Sequence, residues 1–295
     1  MPLSRLRRLL EEERYREAQL EGERLIHAGT LTAEELAHAY KGTAMASYYR
    51  REVYAAIKLG EYALAVAERT TNWELINKCR YDLGEYYLTL GDYPQAFDHL
   101  FQCLDDLHRT PHLMEVEAGT HHKLALLFRY RRQYADAIGS HHLSLDLLRR
   151  CGHWPLLMEA LRGLVYCYLA LDQPDEALPY LEQLEHLLGE HPNDQVAASL
   201  LTDWAYYHQR TGDLRQSMAF CTRAMAPGLP GQDENVLSTA SVIAGENALS
   251  LGRYDEAQLF ANLAMQYALE SRQSALMNRA AALRRKLYER GQARP

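Results

Sequence analysis

Gly91-Asp92-Tyr93-Pro94-Gln95-Ala96 reads as the end of one helix and the start of another. Gly accepts the left-handed backbone that closes a helix, and Asp caps the helix that follows. Tyr93 suits a hairpin corner, and the small Ala96 lets two helices approach closely. The pattern returns as Glu13-Arg14-Tyr15-Arg16-Glu17-Ala18, Arg132-Gln133-Tyr134-Ala135-Asp136-Ala137 and Asp172-Gln173-Pro174-Asp175-Glu176-Ala177. Gly212-Asp213-Leu214-Arg215-Gln216-Ser217 and Gly252-Arg253-Tyr254-Asp255-Glu256-Ala257 repeat it, and Arg51-Glu52-Val53-Tyr54-Ala55-Ala56 is a weaker copy. The last residues fall at 18, 56, 96, 137, 177, 217 and 257, at intervals of 38, 40, 41, 40, 40 and 40. Spacing held along a whole chain marks a structural repeat.

Amphipathic helices flank each copy. Upstream of Ala177, apolar residues step by three and four through Leu161, Leu164, Val165, Tyr168 and Leu169; downstream they run Leu178, Leu181, Leu184, Leu187 and Leu188. Longer breaks separate the hairpins at Thr110-Pro111, Cys151-Gly152 before Pro155, His191-Pro192-Asn193-Asp194 and Pro227-Gly228-Leu229-Pro230-Gly231. No alternating strand pattern of useful length appears. The expected fold is all-α: one right-handed superhelical solenoid of antiparallel hairpins over 1–295. Its hairpins are expected at 1–30, 37–73, 77–110, 118–152, 158–191, 198–228 and 238–271, with a capping helix over 272–291.

Apolar residues make up 47% of the 295, enough for a core and too many for a disordered chain. The net charge of −7 argues against a nucleic-acid partner, and the basic patches Arg5-Leu6-Arg7-Arg8 and Arg284-Arg285-Lys286 read as solvated helix surface. No run approaches the ~18 apolar residues of a membrane span, so no membrane partner is expected. Five widely spaced cysteines without a Cys-x-x-Cys suit reduced thiols in a cytoplasmic protein. The first hairpin starts within the opening residues, so no DNA-binding domain is expected ahead of it.

The repeat resembles the tetratricopeptide (TPR) family. That family carries Leu-Gly-x-x-Tyr in its first helix and Ala-x-x-x-Phe in its second. Here Leu83-Gly84-x-x-Tyr87 precedes Ala96-x-x-x-Leu100, and Leu164-Val165-x-x-Tyr168 precedes Ala177-x-x-x-Leu181. Leu124-Ala125-x-x-Phe128 precedes Ala137, and Ala244-Gly245 precedes Ala257. The period near 40, rather than 34, is that of longer helices and resembles bacterial regulatory arrays such as the peptide-sensing quorum regulators. The resemblance implies that the first helices line a concave groove holding a peptide or partner helix.

Alignment of the repeats puts Lys41, Tyr81, His122, Arg162, Thr202 and Val242 in one groove row, and Met45, Glu85, Leu126, Tyr166, Tyr206 and Glu246 in the next. Lys78, Lys123 and Arg129 lie close by. The candidate peptide-binding set is Lys41, Lys78, Tyr81, His122, Arg129, Arg162, Tyr166 and Tyr206. Interleaved cations and phenols suit an acidic or carboxylate-ended protein or peptide partner; equally, they suit ordinary solvated groove residues.

Motifs for catalysis, a cofactor or phosphate binding are absent, so no enzyme and no cofactor is expected. His121-His122 and His141-His142 share one hairpin, but no carboxylate or Cys completes a metal set, so no metal is expected. Besides a binding scaffold, two alternatives stand: a sensor whose superhelix changes shape on binding a signalling peptide or small ligand, and a self-assembling scaffold. In the last, terminal helices carrying Leu283 and Leu287 would pair two copies into a homodimer.

Overall fold

In a computed structural model, the structure describes residues 2–271 and 274–292. Residues 1, 272–273 and 293–295 of the expected solenoid lie outside the described residues. Among the described residues every regular element is an α-helix. They are α1 (Ser4–Glu11), α2 (Tyr15–Ala28), α3 (Ala33–Tyr49), α4 (Val53–Ala67), α5 (Trp73–Leu90), α6 (Tyr93–Leu107), α7 (Met114–Tyr130) and α8 (Tyr134–Cys151). There follow α9 (Trp154–Ala170), α10 (Pro174–Glu190), α11 (Asp194–Arg210), α12 (Leu214–Ala224), α13 (Glu234–Ser250), α14 (Tyr254–Ser271) and α15 (Ser274–Gln292). None of the described helices is long and apolar enough to cross a membrane.

The chain divides into two compact units, 1–133 with 142–152, and 134–141 with 153–295. One of the three boundaries between them falls inside α8, between His141 and His142. In the first unit α3 pairs with α4 and α5 with α6; in the second, α9 pairs with α10, α11 with α12 and α13 with α14.

Each hairpin closes with the same turn. One or two residues after the first helix the backbone takes a positive φ, at Glu13, Arg51, Gly91, Arg132, Asp172, Gly212 and Gly252. At six of these corners the next amide reaches back to a carbonyl five residues earlier, as in Glu52 to Ser47 and Gln133 to Phe128. That bond satisfies helix-end carbonyls which would otherwise lack a donor. Second helices start on side-chain caps where Asp is present: Asp92 accepts from Gln95 and Asp213 from Gln216, at 3.3 and 3.0 Å. First helices are capped by Thr32, with a reciprocal Glu35 contact, and by Asn72, Asn193 and Asp233.

The small residue five positions past each corner is fully buried in all seven copies: Ala18, Ala56, Ala96, Ala137, Ala177, Ser217 and Ala257. Ser217 keeps its hydroxyl satisfied by donating to the Ala205 carbonyl at 2.7 Å. Aromatic rings twelve positions apart clamp the two helices of a hairpin. Tyr87 stacks on His99, Tyr168 on Tyr180 and His208 on Phe220, with centroids 5.4, 5.6 and 5.4 Å apart.

On α15, Leu283 and Leu287 are buried with Ala248, Ala257 and Ala261 of their own unit. Leu283 lies so close to Gly245 that a Cβ there would fall 2.6 Å from it. This corrects the expectation that these two leucines pair copies: the last hairpin needs them to close its own core.

Candidate functional site

First helices touch in series, α3 to α5 to α7 in the first unit and α9 to α11 to α13 to α15 in the second. Among the described residues, second helices within a unit do not come as close to one another. The first helices therefore form the inner side of each stack, and the candidate residues sit on them.

In the first unit the inner side is a charge ladder. Lys41 on α3 pairs with Asp82 on α5 at 2.9 Å, and Glu85 on α5 pairs with Lys123 on α7 at 3.1 Å. The Tyr48 hydroxyl reaches Glu85 at 3.3 Å and Thr89 at 3.0 Å. Lys123 also sits 4.6 Å from the Tyr81 ring centroid, a cation–π contact. Tyr81 packs onto Gly119 of α7, where a Cβ would fall 2.6 Å from its hydroxyl.

Electrostatics follow from this packing. Asp82 raises the Lys41 pKa, whereas burial pushes the Asp82 carboxyl up against the pull of Lys41. Burial works against the Lys123 charge, but Tyr81 and Glu85 outweigh it and hold the ammonium protonated. His122 is buried beside α7's other cations. Burial first, then Lys123 and Arg129, pull its pKa down to about 3, so it is neutral at pH 7. Lys78 instead pairs along its own helix with Glu74 at 2.6 Å, and Glu74 also meets His112 at 3.3 Å.

In the second unit Arg162 on α9 donates to both oxygens of Asp203 on α11, at 2.6 and 3.3 Å, and lies 3.5 Å from Glu159. The Tyr166 ring lies 5.9 Å from Tyr206 and 6.4 Å from Tyr134. Burial pushes the Tyr206 phenol up to about 12. Farther along, Gln209 bonds Asn247 at 2.9 Å and Lys286 pairs with Glu246 at 2.9 Å.

Thus Tyr81 lies close to Lys123, and Tyr166 close to Tyr206, while Lys41 and Arg162 are each tied to an acid on the next first helix. The row containing Thr202 and Val242 was expected to face the groove; those two are 3% and 2% exposed. His122 of the same row is buried too, whereas Lys41, Tyr81 and Arg162 are half-buried, so the row does not form one open face. Alignment missed Tyr48, Asp82, Asp203 and Lys286. The available signal was an opposite charge 41 positions on, at Lys41/Asp82 and Arg162/Asp203.

A cavity of about 560 Å³ opens between α1 and the start of α3, away from these residues. Its rim mixes Arg7 and Arg8 with Glu11, Glu34 and Glu35, so it favours no ligand charge. Among the described residues no group of three or more His, Cys, Asp or Glu could hold a metal ion.

Residues 116–185 match the family model described as tetratricopeptide repeat. The structure of NprR in complex with its cognate peptide NprX superposes with a TM-score of 0.75 at 17% identity, over 98% of this chain and 84% of that one. The chain has the fold of a tetratricopeptide-repeat protein. Apo RapI gives a TM-score of 0.73 at 12% identity, covering 92% of this chain and 97% of its own. Aspartyl phosphate phosphatase F from Bacillus subtilis gives 0.64 at 14%, covering 98% and 68%. No curated protein matches the sequence. At these identities the likeness is one of fold alone, a long-helix repeat of α-hairpins.

Proposed function

We propose that the inner, first-helix side of the second unit binds a peptide segment of a partner, without catalysis, and grips it mainly through tyrosine rings. One observation carries this reading. Lys41, Lys123, Arg162 and Lys286 each meet a carboxylate on a neighbouring first helix, so the inner charges cancel in pairs. In the second unit, Tyr166 and Tyr206 then offer ring faces for side chains and hydroxyls for backbone groups. The shared fold with NprR, solved with its cognate peptide, supports the choice of ligand class.

An acidic or carboxylate-ended peptide is the narrower version. Such a ligand would engage Arg162 only by displacing Asp203. The test is photo-crosslinking from position 166 to capture the ligand, then titration calorimetry with the captured peptide. Tyr166→Ala/Tyr206→Ala should weaken binding at least tenfold while the unfolding midpoint stays within a few degrees. Equal affinity in the variant removes the tyrosines from the site.

The pairs also favour a second reading, a regulatory sensor. A ligand engaging Asp82 or Asp203 would loosen a joint between two hairpins and shift the balance of conformations. Solution scattering with and without the captured peptide tests it: an unchanged radius of gyration leaves a rigid binder.

A further inference from the structure

We propose that the corner edge of the first unit, built around Arg51 and Arg132, docks an acidic extended segment of a partner protein. The site is separate from the inner, first-helix side and does not depend on it.

The seven corner residues occupy the left-handed region, which favours glycine. Three corners are glycine. Asp172 has a local use for its side chain, accepting from Arg210 at 2.7 Å. Arg51 and Arg132, with φ of 65° and 60°, have none: among the described residues neither guanidinium meets a carboxylate, and both are exposed. Strained non-glycine residues retained without an internal partner point to an external one.

The surrounding charge agrees. At the Arg51 and Gly91 corners the acids are already engaged, Glu52 by Arg50 at 2.9 Å and Asp92 by the Gln95 amide at 3.3 Å, which leaves Glu13 as the exposed acid of the first corner. Arg131 stands over the Phe97 ring at 5.4 Å and adds a third cation without a carboxylate partner among the described residues. A chain of net charge −7 thus keeps a local positive edge. Three large rings share it: Tyr49, Tyr54 and Tyr130 are 55%, 78% and 44% exposed. Arg and Tyr together are the residues that anchor protein interfaces.

The corners lie side by side. Tyr48 joins the ends of α3 and α5 through Thr89 at 3.0 Å, and Tyr93 at the start of α6 stacks on Tyr130 at the end of α7, with centroids 5.0 Å apart. With roughly 10 Å between neighbouring helices, Arg51 and Arg132 stand roughly 20 Å apart. That span matches about six residues of extended chain.

The test uses the full chain and a fluorescein-labelled decapeptide alternating Asp and Leu, followed by anisotropy at low salt. Saturable binding is expected, weakened at least tenfold in Arg51→Gly/Arg132→Gly, whose unfolding midpoint should not fall. Arg51→Lys/Arg132→Lys should keep affinity within about threefold, because Lys retains the charge. Tyr166→Ala/Tyr206→Ala should bind this peptide like the native chain. No binding by the native chain, or equal binding by the Gly variant, overturns the proposal. So does loss in the Tyr166/Tyr206 variant, which would move the peptide to the inner side. Stronger competition by a single-stranded DNA oligonucleotide than by unlabelled peptide would assign the edge to nucleic acid and overturn it too.

Discussion

Arg162 grips Asp203 with two hydrogen bonds from one first helix to the next, 41 positions on, the same offset that joins Lys41 to Asp82. The two side chains are 22% and 16% exposed, so the charges are largely desolvated. Removing one partner strands the other. Asp203→Ala should cost about 2 kcal/mol, below the range for a fully buried pair because some solvent remains. Arg162→Met/Asp203→Leu should cost less than the single change. Urea unfolding of the native chain, Arg162→Met, Asp203→Leu and the double variant measures the coupling; strictly additive costs would show that the pair is not one.

His122 sets a pH dependence. Its folded pKa, about 3, lies below the ordinary 6.5. As pH falls below 6.5 the unfolded chain takes up a proton that the folded one refuses. Stability is therefore full above pH 6.5 and declines toward pH 3, by about 1.4 kcal/mol per pH unit from this group. His122→Gln should flatten that slope by the same amount between pH 6 and 4.5. An unchanged slope in the variant would rule out His122 as the source.

Gly84 touches its hairpin partner. A Cβ there would fall 2.5 Å from the fully buried Leu100. Gly84→Ala should destabilise by about 1–3 kcal/mol through overpacking. Gly84→Ala/Leu100→Val should recover part of that loss in thermal unfolding, and a double variant worse than the sum would argue against the clash.

Glu13 adopts the left-handed backbone with φ 56°. Glu13→Gly should relieve roughly 1 kcal/mol of that conformational cost, a rise of a few degrees in Tm. A lower Tm would mean that chain entropy outweighs the strain.

Thiol chemistry should single out one residue. Burial pushes the Cys79, Cys103 and Cys221 thiols up to about 12, 11 and 12, and Cys167 is fully buried. Cys151 is exposed. Intact-mass analysis after brief maleimide treatment should find one adduct on the native chain, lost in Cys151→Ser. Rapid multiple labelling would contradict the packing.

The repeat was legible because its punctuation is local. A corner needs a helix stop, a cap and a small residue within six positions, and Gly91–Ala96 states all three. The corners at Glu13, Arg51, Arg132 and Asp172 carry no glycine, yet adopt the same turn because the hairpin demands it. The charge pairing was harder to read. Rows drawn at equal repeat positions put Tyr81 and Thr202 beside Lys41 and Arg162, but the true partners are Asp82 and Asp203, one place further on. Each first helix is offset relative to its neighbour, and a row at equal positions does not contain that offset. Glu85 departs from its row the other way: it meets Lys123, three places before the Leu126 that equal repeat positions put beside it.

The recurring left-handed corner has an evolutionary consequence. Since the turn and the buried small residue recur at nearly fixed spacing, an exchange between two corners removes or adds one whole hairpin and leaves matching faces to meet. Insertions of about 40 residues are thus tolerated where a slip of two or three within a helix would rotate its apolar stripe out of the core. Length in such a lineage changes by whole hairpins, with binding surface gained or lost in the same step.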